Sequence, residues 1–435
     1  MMNHTYQHIG LKWLYIDFNS YFASVEQQLQ PHLRGKPIAI VPVDTPTTSA
    51  IAASYEAKAF GITTGTPIYE ARKKCPDLIC VLARHEAYVE FHNRIMIEIN
   101  NHIPVTAVCS IDEAACILMR NESSVEAATA IAMSIKRGLA KNLGEYVRCS
   151  IGIASNRYLA KVATDLQKPD GLTILLPSSL PERLYTLELR DLPGIGRNME
   201  VRLNKANIHT MQQLMQLSCE RMRDIWGGIG GERMWHLLRG ADLPEIETQR
   251  RSIGHSHVMA PELRTPAKAF FVARRLTLKA ASRLRRMEYY AGNLSFSARL
   301  ESSSYLEKGR YIEDHLSCWR AQDNMTFLAM LNQIWRRVIY RLRAAGMHSI
   351  KIKKLSITLH GLVPASELVD DLLSDETNKR YNRTKHENVS HAMDRLNQRF
   401  GRDTILIGML PSQGKSFSGT KIAFTRIPDM EEFLE

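Results

Sequence analysis

Residues 105–119 read VTAVCSIDEAACILM, and this run decides how the rest of the chain is understood. Its apolar residues bracket two adjacent carboxylates, Asp112 and Glu113, so the segment reads as a hairpin with acids at its turn. Two like charges about 4 Å apart repel by about 4 kcal/mol at an effective dielectric near 20. An apolar setting therefore disfavours the pair unless cations join it. A divalent-metal site meets that condition. The alternative is a turn that merely exposes both acids to water, and the neighbouring segments decide between them.

Upstream, Leu11 to Phe18 reads as a buried strand closing on Asp17, and Ser20 to Gln30 as a helix with Phe22, Val25 and Leu29 at helical spacing. An Asp at such a strand end often serves as a cap or turn acid. Here it also adjoins a helix N-terminus, whose free N–H groups suit a phosphate. Glu86 to Asn100 and Ser124 to Ala140 read as helices, Val147 to Ala154 as a strand, and Ser155 to Gln167 as a further helix. Strand, helix, two hairpin strands, helix, strand is the order of a ferredoxin-like sheet. Neighbouring strands lie about 4.8 Å apart, so this sheet can bring Asp17 to Asp112 and Glu113. Between the first strand and the hairpin, Ile38 to Val43 is a short strand and Ala50 to Phe60 is expected to be helical, closing on Gly61. Tyr55 and Lys58 then share a face, an aromatic and a cation suited to a triphosphate. Thr66-Pro67 opens another helix through Lys73 and Lys74.

At 435 residues the chain predicts about three domains of roughly 150 residues each. Its net charge of +12 is concentrated: Arg250 to Lys354 holds 21 Lys and Arg against 7 Asp and Glu, leaving the remainder near neutral. That asymmetry implies a nucleic-acid-facing part joined to a neutral, catalytic part. The seven cysteines form no CxxC pair and no zinc-spaced cluster, which argues against a disulfide framework or structural zinc. No run reaches 18 apolar residues, and Met1 to Gly10 is polar without the apolar core of a signal peptide. A cytoplasmic protein with no membrane contact is expected.

Further along, Arg190-Asp191-Leu192-Pro193-Gly194-Ile195-Gly196 precedes an amphipathic stretch. Trp226-Gly227-Gly228-Ile229-Gly230-Gly231 precedes a helix expected from Glu232 to Arg239. Both have the helix-hairpin-helix pattern, in which glycine lets backbone N–H groups approach a phosphate. Asp242 to Arg251 is polar and aperiodic, a linker. A second β-α-β-β-α-β unit follows: strands at Ser252–Met259, Asn293–Leu300, Arg310–Leu316 and Lys351–Leu362, helices at Thr265–Met287 and Met325–Ala345. Its outward sheet residues are basic or small and polar, a face suited to duplex phosphates. The tail predicts one helix from about Asn388 to Phe400 and a strand over Thr404–Leu410.

WLYIDFNSYFASVE at Trp13 to Glu26 and CSIDEA at Cys109 to Ala114 resemble the two acidic motifs of the Y-family DNA polymerases, the low-fidelity enzymes of translesion synthesis. The resemblance continues through Ala53–Lys58, Ser150–Arg157, Leu159–Lys161, Lys168–Gly171, Leu192–Gly196 and Arg251–Gly254. It implies an α+β right hand: a ferredoxin-like palm in two parts (residues 1–30 and 86–178), small fingers (31–85), a helical thumb with helix-hairpin-helix motifs (179–244), a linker (245–251), a little finger (252–365) and a C-terminal extension (366–435). Carried over residue by residue, it makes Asp17, Asp112 and Glu113 catalytic, and gives two magnesium ions to these acids and the Phe18 carbonyl. Tyr21, Phe22, Tyr55, Lys58 and Lys161 correspond to nucleotide-binding positions, Phe22 being the ring that excludes a ribose hydroxyl. Gly194, Gly196, Gly228, Gly230, Arg251 and Ser252 are the expected DNA contacts. Ala52 and Lys58 depart from the Thr and Arg that many members carry, which bears on triphosphate orientation.

The implied partners are primer-template DNA and deoxynucleoside triphosphates, with a sliding clamp or other mutagenesis proteins as helpers, and a monomer is expected. No sequence suggests a proofreading exonuclease, and Gln413 to Glu435 contains no good clamp-binding peptide; Gln212-Gln213-Leu214-Met215 resembles one but falls in a thumb helix. Leu396 to Arg402 looks more like the UmuC-type branch than DNA polymerase IV. The competing expectation is a catalytically inactive, polymerase-like DNA-binding subunit of a repair complex.

Overall fold

The computed structural model describes residues 10–45, 48–246, 249–301, 311–347, 349–368, 377–401, 404–408 and 427, with the backbone alone for 377–383. The described residues form two compact units, one running to Glu245 and including Ile427, the other running from Ile246 to Gly408.

The first unit is built on β1 (Trp13–Phe18), whose side chains are almost all buried and which lies at the centre of its sheet. It leads into α1 (Tyr21–Leu29), then β2 (Ile38–Val41), β3 (Ala52–Ala53), α2 (Tyr55–Lys58), α3 (Ile68–Lys74), β4 (Ile79–Leu82) and α4 (His85–Asn100). The hairpin is β5 (Ala107–Ser110) and β6 (Glu113–Ile117), followed by α5 (Val125–Asn142), β7 (Cys149–Ala154), α6 (Arg157–Leu166) and β8 (Leu172–Ile174). The strand order β5-β6-β1-β7 is the ferredoxin-like pairing, with β8 added in parallel beside β7. Leu14, Ile16, Ile95, Ile99, Ile135 and Ile151 meet in the core between α4, α5 and one sheet face. On the other face α6 packs tightly, because Gly152 of β7 has no side chain: a Cβ there would stand 2.0 Å from the Ala160 carbonyl.

The stretch 50–60 departs from the expected continuous helix. Ala52 and Ala53 pair with Ile40 and Ala39 of a separate three-stranded sheet, and the helix starts only at Tyr55, where Ser54 caps the Ala57 N–H. Sheet pairing overrides the helical preference of the alanines.

Four helices complete the unit: α7 (Arg197–Lys205), α8 (Met211–Met215), α9 (Cys219–Trp226) and α10 (Ile229–Leu238), with Leu203, Leu214, Met222 and Leu238 fully buried among them. α10 begins three residues earlier than expected. Gly231 therefore lies inside it, where a Cβ would meet the Met222 carbonyl at 2.2 Å, so this glycine serves helix packing rather than ligand approach. Leu214 and Met215 are buried while Gln212 and Gln213 are exposed, so the apolar residues of the clamp-like stretch serve the core.

The second unit contains β9 (Ser252–Val258), α11 (Pro266–Arg286), β10 (Tyr289–Leu300), β11 (Tyr311–Ala321), α12 (Asn324–Ala344), β12 (Ile352–His360), β13 (Val363–Pro364) and α13 (Thr377–Phe400). Its element order matches the palm, but its sheet runs β11-β10-β12-β9, all antiparallel, with the second and fourth strands central. The two units share an element order and not a topology. Phe296, Phe327, Leu331, Ile334 and Ile357 fill its core. α13 starts earlier than Asn388; Arg285 of α11 reaches Asp394 at 2.6 Å and ties the helix down. Thr404 to Gly408 forms bends instead of a strand, and Leu410 and Gln413–Glu435, apart from Ile427, lie outside the described residues. No described helix is long and apolar enough to cross a membrane.

Candidate active site

β1 and β6 run antiparallel with Asp17 opposite Glu113, and the Phe18 N–H donates to the Asp112 carbonyl at 2.9 Å. The hairpin turn thus sits beside the end of β1, and the structure brings together the three acids picked out in the sequence. Asp17 is 6 % exposed. Tyr15, two residues back on the same face, donates its hydroxyl to Glu113 at 3.2 Å. Ser110 donates to Asp112 Oδ1 at 2.6 Å. Burial pushes the Asp112 carboxyl up to about 6; the Ser110 hydrogen bond opposes this, while the charges of Asp17 and Glu113 add to it. That rise is what like charges in a poorly solvated site produce.

Lysines neutralise the cluster. Lys161 of α6 places one ammonium on both Asp17 and Glu113, the latter at 2.7 Å. Burial works against the charge of Lys161, yet Asp17, Asp165 and Glu113 outweigh it and raise its pKa. Lys168 lies 2.8 Å from Asp17 and 2.7 Å from Asp165. Sequence reading picked out Lys161 but assigned no role to Lys168 or Asp165. The signal for Lys168 was present in Lys168–Gly171, but only the fold brings the loop after α6 back to β1; Asp165 stands within α6, four residues after Lys161. The same return puts the Asp170 N–H on Asn19 Oδ1 at 2.7 Å.

The other positions expected to bind nucleotide lie on α1 and α2. Tyr21 and Phe22 begin α1, so their N–H groups have no carbonyl partner within the helix. Phe22 is 5 % exposed and stacks on Tyr88. The Lys58 ammonium lies 4.4 Å above the Tyr55 ring. Burial lowers the Lys58 pKa, Lys168 lowers it further, and Asp17 opposes both. Electrostatically, Lys58, Lys168 and Asp17 are one neighbourhood.

Four carboxylates and three lysines converge near the N-terminus of α1. Hard oxygen donors of this kind fit magnesium. The charges of Asp17 and Glu113 are felt at Asp112, so the acids are close enough to profit from a shared cation. The arrangement suits binding of an anionic phosphate chain beside acids with the chemistry of metal ligands, the requirement of phosphoryl transfer.

The expected DNA contacts fall in separate places. Gly194 has φ +89° and Gly196 caps α7, with nothing within 4 Å of a Cβ at the latter. Gly228, at φ +151°, caps α10 and is equally open, whereas Gly230 sits in the first helical turn. Arg251 and Ser252 belong to the second unit, where Ser252 opens β9 and both are exposed. There the register aligns Ser252, Gly254 and Ser256 with His360, Thr358 and Ser356, and these with Asn293, Ser295 and Ser297. Arg299 and Lys354 face each other at its end, both exposed, so one sheet face is small, polar and basic. In the first unit, Cys219, Glu232 and His236 bring three potential ligand atoms within 4.8 Å, a grouping invisible to sequence spacing, but Arg223 stands 4.0 Å from Glu232.

Comparison with known proteins adds to this geometry. Residues 16–165 match the impB/mucB/samB family, 190–242 the thumb domain of DNA polymerase-iota, and 250–372 the impB/mucB/samB C-terminal domain. DNA polymerase IV of Moorella thermoacetica is 30 % identical over 400 residues, covering 90 % of this chain and 94 % of that protein. DNA polymerase IV of Pelotomaculum thermopropionicum is 31 % identical over 405 residues, with 90 % and 94 % covered. Among solved structures, a Y-family DNA polymerase chimera of Dbh and Dpo4 aligns with TM-score 0.67 at 23 % identity, over 81 % of this chain and 99 % of that one. An insertion ternary complex of Dbh DNA polymerase aligns with TM-score 0.52 at 23 % identity, over the same shares. At that identity the structures speak to the fold.

Proposed function

The chain belongs to the Y-family DNA polymerases, DNA-directed DNA polymerases of translesion synthesis, and from that premise we propose that it extends primers past damage by two-magnesium nucleotidyl transfer, with low fidelity and no proofreading. The observation that carries this reading is the pairing of Asp17 with Glu113 across β1 and β6, with Asp112 at the adjoining turn and Lys161 bridging the first two.

In this reading Asp17, Asp112, Glu113 and the Phe18 carbonyl hold the two magnesium ions, which when bound supply charge neutralisation and acidify the primer hydroxyl. The residues of the chain do the remainder. The N–H groups of Tyr21 and Phe22 donate to phosphate oxygens at the helix N-terminus. Tyr55 and Lys58 grip the triphosphate from α2, and Lys161 from α6. Phe22 packs against the sugar and rejects a 2′-hydroxyl. The hairpin backbones at Gly194, Gly196, Gly228 and Gly230, with Arg251 and Ser252, take the duplex phosphates, as does the polar sheet face of the second unit. Such contacts fix position and not sequence, which suits a polymerase that must accept damaged templates. The enzyme works on primer-template DNA and deoxynucleoside triphosphates in the cytoplasm, as a monomer that a sliding clamp or other mutagenesis proteins deliver.

Primer extension by purified protein tests the proposal. Wild-type chain extends a primer in magnesium, and Asp112→Asn lowers the rate by at least about a thousandfold, on the order of 4 kcal/mol of transition-state stabilisation, while duplex affinity stays within about twofold. Extension by Asp112→Asn at the wild-type rate overturns the metal assignment. Absence of extension by the wild type leaves the inactive DNA-binding subunit as the reading.

A further inference from the structure

We infer that Glu26 is a positioning residue for sugar selectivity: acting through Tyr88, it fixes the plane of the Phe22 ring. The inference rests on the reading of Phe22 as the residue that meets the sugar. Glu26 lies four residues after Phe22, hence on the same side of α1, and its side chain is wholly buried. It accepts the Tyr88 hydroxyl at 2.9 Å, the Arg84 Nε at 3.0 and 3.2 Å on its two oxygens, and the Gln30 amide at 2.6 Å. Tyr88, also fully buried, lies ring to ring with Phe22, centroids 4.4 Å apart and planes 14° from parallel. His85 stands edge-on to both rings, at 6.5 Å from Phe22 and 6.0 Å from Tyr88. The Tyr21 hydroxyl donates to the Tyr88 carbonyl at 2.6 Å, holding the backbone of the same residue.

A buried carboxylate carries a desolvation cost that an apolar filler of equal volume avoids, so contact between α1 and α4 does not by itself call for one. What the charge adds is direction. Stacked rings slide over each other at little cost, because aromatic pairs accept a range of offsets. A hydrogen bond from the far end of Tyr88 to an acid clamped by Arg84 removes that freedom. Phe22, resting on an immobile ring, cannot retreat from a 2′-hydroxyl. Truncating the anchor lets Tyr88 shift and Phe22 follow, which opens room for one oxygen atom without touching the acids or the triphosphate pocket.

Steady-state kinetics of the full-length enzyme with deoxy- and ribonucleotides tests this. Tyr88→Phe, which keeps the ring and loses the hydroxyl, and Glu26→Ala are expected to raise ribonucleotide kcat/KM about tenfold, a size typical of pocket discrimination over a small group, mainly through KM. Deoxynucleotide kcat/KM stays within about threefold. Glu26→Gln keeps an acceptor for Tyr88 and restores most of the selectivity. Thermal unfolding of each variant is followed in parallel, and if Glu26→Ala does not fold, Tyr88→Phe carries the test. Unchanged selectivity in Tyr88→Phe and Glu26→Ala, or an equal fall for both sugars in all three variants, overturns the inference. Phe22→Ala separates the two levels: if it admits ribonucleotides while Tyr88→Phe does not, the inference fails and the gate stands; if it does not, the gate reading itself fails.

Discussion

Lys58 concentrates the question of how well a single side chain can orient a triphosphate. Its ammonium sits over Tyr55, and burial together with Lys168 makes its charge harder to keep. A guanidinium retains its charge in such a place and offers a planar fork to phosphate oxygens. Lys58→Arg is therefore expected to lower KM for deoxynucleotides about threefold to tenfold, with kcat unchanged, as read by single-nucleotide insertion. An unchanged or higher KM removes Lys58 from the triphosphate pocket. Ala52, the companion departure, lies in β3 and pairs with Ile40, so a hydroxyl at 52 sits on a strand edge and not on the helix expected from the alanine-rich sequence. At this scale the acids were legible, because two adjacent carboxylates inside an apolar run stand out against their surroundings and call for a compensating cation. Lys168 was not, since a lysine in a polar loop carries no periodic signal and only chain reversal after α6 brings it to Asp17; nor was Asp165, which in sequence reads as an ordinary helix acid near the end of α6.

Among the elements, α6 bears the most on the site, and its approach depends on Gly152. An added methyl there meets the Ala160 carbonyl at 2.0 Å and the Thr164 N–H nitrogen at 2.7 Å, both helix backbone that cannot swing aside. Gly152→Ala is expected to cost about 1–3 kcal/mol in denaturant unfolding and to reduce primer extension by at least about tenfold, since a backbone displacement carries Lys161 and Asp165 away from the acids. Full activity with full stability would show that α6 tolerates displacement. Most elements were legible from hydrophobic spacing: β1, the hairpin, α4, α5, α12, β9 and β12 fall within about two residues of their expected ends, while β10 starts four residues earlier and β11 runs five residues longer than expected. Apart from the early start of α13, the misplaced short segments share a cause. Residues 50–54, the start of α10 and residues 404–408 are short segments whose conformation is set by a neighbour: the edge of β2, the packing of Gly231 on Met222, and the amide of Asn397, which binds Ile405 from both sides. The topology of the second sheet was illegible for a related reason, because one element order admits two pairings and nothing local chooses.

For the whole molecule, the concentration of positive charge between Arg250 and Lys354 has a measurable consequence. Arg299→Ala and Lys354→Ala are each expected to reduce the slope of log affinity against log salt by about 0.9, in fluorescence anisotropy with primer-template DNA, leaving kcat at saturating DNA as in the wild type. A slope that does not move would take this sheet face out of the duplex contact. The two units each enclose a core of their own, the first drawing in Ile427 from the far end of the chain. The acids with their lysines and the polar, basic sheet face thus rest on different cores, so a change of residue on that face leaves the packing beneath the acids as it is.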